Sequence, residues 1–391
     1  MKIDEVLDGI EYSVLQAGSY SEIKRICVNS RKIMSEDTFI ALKGIKYDGH
    51  DFVDVAIKNG ATAIIVEHNK LTGKKVPESI TVVAVDDTRK HLSRIINNYY
   101  SRPSEKFKLI GVTGTNGKTT VTTVANHIFT RLGCKTALIG TIDNYIHNNT
   151  LSVKKTTPTT PDCLELGRIM DMCVSNEVDY VLMEVSSMAL KMRRVDDCKF
   201  DIVVFNNISP EHLDDHKTME DYKKSKLMLF PLCQKAVVNM DDDFAGEVLK
   251  ACPGEVIKFG IDNAANSDLY AKDILYIDGK TFFKVVWQNH EADFMIKIQG
   301  KFAVYNTLAI IGMCLFSGFE IKHIQTYFSD DIYIAGRYEV IKGGGDVTVI
   351  IDFAHTPAAM ENLLTTVKLN NNYNKIITVF GCGGDRDKTK R

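Results

Sequence analysis

A chain of 391 residues, 45% hydrophobic and 25% charged, is long enough for two or three globular domains, each with its own core. Its 48 Lys and Arg nearly balance its 50 Asp and Glu, and the net charge of −2 argues against binding to nucleic acid or an anionic membrane. No apolar run approaches the roughly 20 residues that cross a bilayer, and the N-terminus lacks the basic start and apolar stretch of a secretory signal.

The first part of the chain mixes short apolar runs with helical stretches. TFIALKG, ATAIIVE and ITVVAVDD are typical of strands, whereas HDFVDVAIKNG is typical of a helix. The polar segment SRPSEK, which contains Pro103, is typical of a linker. We therefore predict a first domain at residues 1–105.

From residue 106 the pattern changes to strand, turn and helix. FKLIGVTG is a short apolar run that ends in glycine, and KTTVTTVANHIFTRLG predicts a helix of about four turns that ends at Gly133. Further apolar runs alternate with helical segments and are typical of buried parallel strands: TALIGTI, VDYVLMEV, DIVVFNNI and KAVVNM. The pattern predicts a central domain at residues 106–335 with a doubly wound α/β sheet, followed by antiparallel hairpins within 265–300 and the helix VYNTLAIIGMCLFSGF.

The last part of the chain, residues 336–391, contains a single βαβ unit. VTVIIDF and KIITVFG predict strands, and the segment at about 357–369 between them predicts a helix. One βαβ unit leaves a face of its sheet uncovered and is marginal alone. We therefore expect this last domain to be truncated.

The stretch TGTNGKTT, residues 113–120, joins the first strand of the central domain to its first helix. The usual phosphate loop reads G-x-x-x-x-G-K-[S/T], and here Val112 stands where that pattern has its first glycine. Gly114 and Gly117 still allow a phosphate to approach the backbone, Lys118 supplies positive charge, and the threonines that follow supply a hydroxyl for Mg²⁺. The loop therefore predicts a nucleotide site, and the alternative is an ordinary capped turn.

Seven segments, in chain order, resemble motifs of the Mur ligase family. TGTNGKTT looks like the nucleotide loop of that family, and the others are MEVSSMAL, NNISPEHLDDHKTMEDYKKSK, IQGKFAVYNTLAI, AGRYE, IDFAHTP and FGCGGDRD. Upstream, VNSRKIMSEDTFIALKGIKYDGHDF is similar to the first domain of the subgroup that extends UDP-N-acetylmuramoyl (UDP-MurNAc) dipeptide to tripeptide. The resemblance implies three α/β domains: a mixed α/β UDP-binding N-terminal domain, a central doubly wound P-loop ATPase domain and an incomplete Rossmann-like C-terminal domain.

The reaction that this resemblance implies is ATP-dependent amide formation in peptidoglycan precursor synthesis. A carboxylate of UDP-MurNAc-L-Ala-D-Glu would attack the γ-phosphate to give an acyl phosphate, and the amine of an amino acid would then displace phosphate. Both steps gather negative charge on oxygen, which Mg²⁺, lysine and backbone donors stabilise. The amino acid would be meso-diaminopimelate or L-lysine, and the segment that usually distinguishes them would lie beyond Arg391.

The resemblance also implies the ATP and Mg²⁺ contacts. Lys118 would contact the β- and γ-phosphates, and the rest of the loop would surround them: Gly114, Thr115, Asn116, Gly117, Thr119 and Thr120. Mg²⁺ would be held by Thr119, Glu184, His212 and Lys226, the last as a carbamate formed from CO₂ on its neutral amine. Lys118, Glu184, His212 and Lys226 would form the catalytic set. Asn306 would lie near adenine, and Arg337 and Asp352 would reach ATP from the hinge and the last domain.

Residue chemistry alone leaves alternatives open at three of these positions. Glu184 follows a predicted strand, where it is either a ligand at the sheet edge or a surface acid. His212 in a loop is more often solvated than bound to metal. Lys226 is one of three lysines on an amphipathic helix, and the simplest interpretation of that helix is a solvated face.

The implied contacts to the second substrate lie in several segments. Ser30, Thr159, Thr160, Ser186 and Arg194 would contact the UDP-MurNAc-peptide. Arg386 would pair with the carboxylate of the incoming amino acid, because a planar guanidinium suits a carboxylate. The chain departs from the family pattern at three positions, where a histidine, a glycine and a glycine are usual: Met188, Lys217 and Thr389.

The expected partners are therefore UDP-MurNAc-dipeptide and a free amino acid, with no nucleic acid and no membrane insertion, and the expected state is a monomer. Nine scattered cysteines with no C-x-x-C pair argue against a disulfide framework or zinc knuckle and favour a cytoplasmic location. Two alternatives stay open. One is another amide ligase of the superfamily, such as a folylpolyglutamate synthetase, which would lack the N-terminal domain. The other is a nucleotide-binding homologue without ligase activity, which Met188 would favour.

Overall fold

The computed structural model describes residues 1–19, 22–44, 47–71, 73–153, 155–342, 347–369 and 373–381. The chain divides into two compact units. The first comprises Met1–Lys106, Pro161–Met172 and Lys191–Cys198, and the second comprises Phe107–Thr160, Cys173–Leu190 and Lys199–Arg391. The domain boundaries at residues 105 and 335 stay predictions. No helix within the described ranges is long and apolar enough to cross a membrane.

The first unit begins with short elements that match the predicted apolar runs. In chain order they are α1 (Ile3–Val6), β1 (Ser13–Gln16), β2 (Arg25–Cys27), β3 (Asp37–Ile40), α2 (Val53–Lys58), β4 (Ala63–Glu67), β5 (Thr81–Val85) and α3 (Thr88–Tyr99). Helix α3 begins at its N-cap Asp87, whose side chain accepts a hydrogen bond from the Lys90 backbone N–H. Pro103–Glu105, in the predicted linker, form a 3₁₀ turn.

Among its described residues, the first unit contains a five-stranded sheet in the order β1-β5-β4-β3-β2. Strands β2 to β5 pair in parallel, and β1 pairs with β5 antiparallel. Side chains of β4 alternate between two hydrophobic clusters, with Ile65 in one and Ile64 and Val66 in the other. This period of two means that both faces of the sheet are buried, which explains the continuous apolar runs.

The elements from residue 107 onward belong mainly to the second unit. In chain order they are β6 (Lys108–Thr113), α4 (Lys118–Arg131), β7 (Thr136–Ile139), β8 (Asn144–Ile146), β9 (Asn149–Thr150), α5 (Cys163–Ser175), β10 (Tyr180–Glu184), α6 (Ser187–Lys191), β11 (Phe200–Phe205), α7 (Leu213–His216), α8 (Met219–Leu227), β12 (Cys233–Asn239), α9 (Ala245–Ala251), β13 (Glu255–Gly260), β14 (Leu269–Ile277), β15 (Lys280–Trp287), β16 (His290–Ile296), α10 (Lys301–Phe316), α11 (Ile321–Ile324), β17 (Glu339–Lys342), β18 (Thr348–Ile351) and α12 (Pro357–Leu369). The predicted helix that Gly133 ends is α4, and Gly133 takes a φ of 87°.

The main sheet of the second unit has, among the described residues, the strand order β16-β15-β14-β13-β12-β11-β6-β10-β7-β8-β9. Its centre, from β13 to β7, is parallel, and β6 lies between β10 and β11. Strands that follow β6 in the chain lie on both sides of it, which confirms the predicted doubly wound sheet. The hairpins predicted within 265–300 are the antiparallel strands β14, β15 and β16.

Residues near the end of the chain differ from the prediction. Strands β17 and β18 form an antiparallel pair, and α12 spans the predicted helix. KIITVFG, predicted as a strand, forms neither strand nor helix, and Val379 and Phe380 are 94% and 73% exposed. That prediction was wrong because an apolar run forms a strand only where a neighbour pairs with its backbone, and within the described residues β18 pairs only with β17.

Candidate active site

The candidate site lies at one edge of the main sheet, where three parallel strands end. Strand β6 pairs with both β10 and β11, with Val112 opposite Glu184 and Thr113 opposite Phe205. Because the carboxyl ends of parallel strands meet at one edge, this register gathers three chain segments there. They are the glycine-rich loop after β6, Glu184 at the end of β10, and the segment from Asn206 that follows β11.

The glycine-rich loop ends in the N-terminus of helix α4. Gly117 is the N-cap, with a φ of 86°, and Lys118 is the first helical residue. The N–H groups of the first turn have no acceptor within the helix, and together with the helix dipole they favour an anion. The loop therefore has the geometry of a phosphate site.

Lys118 folds back over this loop. Its Nζ donates hydrogen bonds to the carbonyl oxygens of Gly114 and Thr115, at 2.8 and 2.9 Å. Burial lowers the pKa of Lys118, with Glu184 and Glu211 opposing this effect and Arg337 adding to it. The ammonium group thus lies beside the loop, near two carboxylates, of Glu184 and Glu211, and the guanidinium of Arg337.

Glu184 is a buried carboxylate beside the first turn of α4. Its Oε2 accepts hydrogen bonds from the hydroxyls of Thr119, at 3.0 Å, and Thr141, at 2.9 Å. Its Oε1 accepts from the Thr141 backbone N–H at 2.7 Å, and the residue is 1% exposed. Carboxylate and hydroxyl oxygens therefore lie side by side where the helix begins, which is the donor set that Mg²⁺ prefers.

Lys226 is buried in helix α8, contrary to the solvated face that its sequence context suggests. It is 1% exposed, its Nζ lies 3.5 Å from Thr113 Oγ1, and the same Nζ lies 4.8 Å from the centre of the Tyr222 ring. Burial lowers the pKa of Lys226 well below its ordinary value, and Lys118 lowers it further. The Tyr222 hydroxyl lies 3.0 Å from Thr115 Oγ1, so α8 is tied to the loop.

His212 is the N-cap of the short helix α7, with a φ of 57°. Its Nε2 lies 3.6 Å from Glu211 Oε2, and its ring lies 6.2 Å from that of Tyr222. Glu211 Oε1 lies 2.7 Å from His355 Nε2. Burial would raise the pKa of Glu211, but the His355 hydrogen bond and the charges of His212 and Lys118 lower it to about 2.

Three residues predicted to contact ATP lie later in the chain. Asn306 in α10 is buried, and its Oδ1 accepts from Asn206 Nδ2 at 2.9 Å. Arg337 Nη2 donates to Thr119 Oγ1 at 3.3 Å, so that guanidinium reaches the first turn of α4. The carboxylate of Asp352 accepts from the backbone N–H groups of Tyr338 and Ala354, both at 2.7 Å.

A cluster of hydroxyls connects the predicted substrate residues to Glu184. Thr160 Oγ1 donates to the Glu184 backbone carbonyl at 2.9 Å and lies 3.2 Å from Ser186 Oγ. Thr159 Oγ1 lies 3.1 Å from Thr141 Oγ1, which itself contacts the Glu184 carboxylate. Thr159, Thr160 and Ser186 therefore lie around the same strand end as Glu184.

Family models match the chain in three places. They are Mur ligase family, catalytic domain at residues 22–100, Mur ligase middle domain at 112–314, and Mur ligase, glutamate ligase domain at 336–391. The chain belongs to the Mur ligase family. Members of this family are ATP-dependent ligases that use Mg²⁺.

Individual relatives of this Mur ligase match along its whole length. A protein of Clostridium acetobutylicum named UDP-N-acetylmuramoyl-L-alanyl-D-glutamate–2,6-diaminopimelate ligase 2 is 38% identical over 100% of the chain and 80% of the relative. The 2,6-diaminopimelate ligase of Caldanaerobacter subterraneus is 39% identical over 100% of the chain and 79% of the relative. A solved structure of such a ligase has a TM-score of 0.79 at 27% identity and is covered to 78%.

The residues of this Mur ligase fit Mg²⁺ and a nucleotide triphosphate at the strand ends. Hydroxyl and carboxylate oxygens of Thr119 and Glu184 are adjacent, and the side chains of Lys118 and Arg337 bring positive charge close to them. The described residues hold no cluster of three or more His, Cys, Asp and Glu side chains suited to a metal. The predicted set has only two residues of those types, so the rest of its donors are the threonine hydroxyl and a modified lysine.

The remaining predicted residues of this Mur ligase lie elsewhere. Ser30 and Arg194 belong to the first unit, where Ser30 begins a 3₁₀ turn and burial lowers the pKa of Arg194. Arg386 lies outside the described residues. Met188 lies in the first turn of α6 beside Ser187, whose Oγ lies 2.9 Å from Nε2 of the buried His216.

Sequence reasoning missed several residues of the site. Thr141, Tyr222 and His355 contact predicted residues through side chains from separate segments, which no local pattern reveals. Glu211 had a signal, because the family pattern has an acidic residue directly before the histidine that aligns with His212. Asn206 is the first residue of the segment NNISPEHLDDHKTMEDYKKSK, but no role was predicted for it there.

Proposed function

We propose that this Mur ligase joins an amino acid to UDP-MurNAc-L-Ala-D-Glu in an ATP-dependent reaction of peptidoglycan precursor synthesis. Relatives that span the whole chain are named as ligases of that dipeptide nucleotide and 2,6-diaminopimelate. Those names favour 2,6-diaminopimelate over L-lysine as the amino acid. The protein would act in the cytoplasm as a monomer.

The observation that carries this proposal is that Lys118, Glu184 and Lys226 all lie near the carboxyl ends of the adjacent strands β6, β10 and β11. A phosphate loop alone would suit many nucleotide-binding proteins. A buried lysine with a lowered pKa beside that loop suits a narrower chemistry, because a neutral amine reacts with CO₂. The pairing of Thr119 with Glu184 supplies oxygen donors at the same place.

Lys118 and Arg337 would hold the phosphates of ATP. Lys118 would exchange its hydrogen bonds to Gly114 and Thr115 for phosphate oxygens, while the first-turn N–H groups of α4 bind the same group. Arg337, already at Thr119, would add charge where the carboxylate of the substrate attacks the γ-phosphate. The acyl phosphate formed in this way loses phosphate when the amino-acid amine attacks its carbonyl carbon.

Thr119, Glu184, His212 and a carbamate on Lys226 would hold Mg²⁺, which supplies charge neutralisation on the phosphate oxygens when bound. The carbamate forms when the lone pair of the neutral Lys226 amine attacks the carbon of CO₂ and one proton leaves the nitrogen. Burial favours this reaction because it lowers the pKa of Lys226 and so favours the neutral form of the amine. Carbamylation therefore turns a neutral amine into an anion whose oxygens can bind a metal ion.

The nucleotide and substrate would be bound by the other predicted residues. Asn306 and Asp352 would contact ATP, and Arg386 would pair with the carboxylate of the amino acid. Thr159, Thr160 and Ser186 would orient the muramoyl-peptide, because their hydroxyls lie beside Glu184. Ser30 and Arg194 would contact the rest of that substrate.

Phosphate release by the purified protein tests the proposal. We expect release with ATP, Mg²⁺ and UDP-MurNAc-L-Ala-D-Glu only when 2,6-diaminopimelate is present, and much less with L-lysine. If no amino acid that is tested leads to phosphate release, the proposal is contradicted and a nucleotide-binding role is favoured. Release with folate and glutamate instead would favour the folylpolyglutamate alternative, whose solved members share the fold at 15–18% identity.

A further inference from the structure

Asn206 lies directly after strand β11, at the strand end that faces the glycine-rich loop. The residue is 1% exposed. Its Nδ2 donates two hydrogen bonds, one to the backbone carbonyl of Asn116 at 3.1 Å and one to Asn306 Oδ1 at 2.9 Å. One side chain therefore joins the glycine-rich loop to the helix that carries Asn306.

The orientation of this amide follows from its partners. A backbone carbonyl can only accept, so the atom that faces Asn116 must be the amide nitrogen of Asn206. The same nitrogen faces Asn306, which must then present its oxygen. Neither amide can be rotated by 180° without placing two acceptors or two donors against each other.

Gly117 is shaped to this pair of amides. A Cβ built on Gly117 would lie 2.3 Å from Asn206 Nδ2 and 2.6 Å from Asn306 Oδ1. The two side chains thus pack directly on the Gly117 backbone, where any larger residue would displace them. The loop conformation and the Asn206–Asn306 hydrogen bond depend on each other.

Neighbouring hydrogen bonds hold Asn206 in place. Its backbone N–H donates to the Thr113 carbonyl at 3.0 Å, and its carbonyl accepts from Asn239 Nδ2 at 2.8 Å. Asn207 contacts the loop as well, since its Oδ1 accepts from the Asn116 N–H at 2.9 Å. The end of β11 is therefore a rigid support for the loop.

Stability alone does not account for an asparagine at this position. Asn206 Oδ1 is buried and has no hydrogen-bond partner among the residues that the structure describes. A buried acceptor without a partner destabilises a fold, and an apolar side chain would avoid that cost. In the side-chain amide of Asn206, only the nitrogen makes hydrogen bonds to described residues, and they connect Asn116 and Asn306, which are both predicted to contact the nucleotide.

We infer that Asn206 is a positioning residue that fixes the glycine-rich loop against Asn306, so that phosphate and nucleobase contacts are aligned before ATP binds. The identity of the ligand in this inference rests on the proposed function. The clamp, by which we mean the hydrogen bonds of Asn206 to Asn116 and Asn306, does not. A loop held in its bound conformation loses less entropy on binding, which strengthens nucleotide affinity without contact between Asn206 and the nucleotide.

The test compares Asn206→Ala and Asn206→Ser with Asn98→Ala in the full chain. Asn98 is a matched control because it is 8% exposed and its Nδ2 also donates to two backbone carbonyls, of Val6 and Asp8, in the first unit. Two measurements are made on each protein. One is hydrogen exchange of the loop amides without ligand, and the other is calorimetric titration with ADP and Mg²⁺.

We expect both Asn206 variants to exchange the amides of residues 114–117 at least about tenfold faster and to bind ADP about tenfold more weakly, while Asn98→Ala changes neither. Unchanged loop exchange in both Asn206 variants would overturn the inference and leave a purely structural amide. If the wild-type protein binds no ADP but the Asn206 variants still loosen the loop, the clamp stands and the proposed function fails.

Discussion

Lys226 differs from its two neighbouring lysines by the face of helix α8 that it occupies. Its side chain is buried, whereas the side chains of Lys223 and Lys224 are 31% and 72% exposed. Tyr222 and Lys226 are four residues apart and share the buried face. The segment YKKSK does not itself indicate which lysine is buried, so sequence reasoning needed the family resemblance to single out Lys226.

Replacing Lys226 by glutamine should abolish the proposed carbamate. We expect kcat to fall by at least about 10²-fold, because a charged ligand beside the phosphates is lost. With ¹³C-labelled bicarbonate, the wild-type protein should give a carbamate carbon signal in NMR that Lys226→Gln lacks. Lys224→Gln is the matched control and should retain activity, since exposed ion pairs contribute little. A signal that persists in Lys226→Gln would contradict the assignment.

Gly117 and Gly133 both have positive φ, 86° and 87°, at opposite ends of α4, but only Gly117 is crowded. Gly117→Ala should lose ADP affinity at least about tenfold and destabilise the protein by more than the ~1–2 kcal/mol of left-handed strain. Gly133→Ala, with nothing within 4 Å of its Cβ, should show the strain alone and bind ADP normally. Calorimetry measures ADP affinity, and thermal unfolding measures stability. Equal ADP affinity in the two variants would show that the packing of Asn206 and Asn306 on Gly117 does not matter for nucleotide binding.

At the scale of elements, the site depends on the way strands β6, β7, β10 and β11 end. Thr141, two residues after the end of β7, binds the Glu184 carboxylate through both its hydroxyl and its backbone N–H. This arrangement orients a carboxylate that Thr119 also contacts. Sheet topology, rather than any local sequence pattern, brings these residues together.

Thr141→Val should therefore weaken the binding of Mg²⁺ that supports activity, without changing the fold. Loss of a hydrogen bond to a charged group costs roughly 1.5–3 kcal/mol, so we expect the Mg²⁺ concentration for half-maximal activity to rise about tenfold. Thr130→Val removes a hydroxyl that binds Asn126 and Thr136 away from Glu184, and it should leave that concentration unchanged. The same Mg²⁺ dependence in Thr141→Val and wild type would show that Thr141 does not orient Glu184.

At the scale of the whole molecule, the sequence predicted much of the second unit and less of its site. The alternation of apolar runs and helices predicted the doubly wound sheet, and TGTNGKTT predicted the loop before α4. The prediction of a strand at KIITVFG was wrong because pairing partners, rather than hydrophobicity, decide whether a strand forms. Thr141, Tyr222 and Asn206 were missed because their contacts span distant segments.

We propose that ATP activates a substrate carboxylate as an acyl phosphate at the site of Lys118, Glu184 and Lys226. Isotope transfer tests it most directly, with UDP-MurNAc-L-Ala-D-Glu labelled with ¹⁸O in its side-chain and terminal carboxylates. Mass spectrometry after reaction with ATP, Mg²⁺ and 2,6-diaminopimelate should find one ¹⁸O in each released phosphate and one fewer in the amide product. Unlabelled phosphate alongside amide product, or no amide product at all, would rule out an acyl phosphate intermediate at this site.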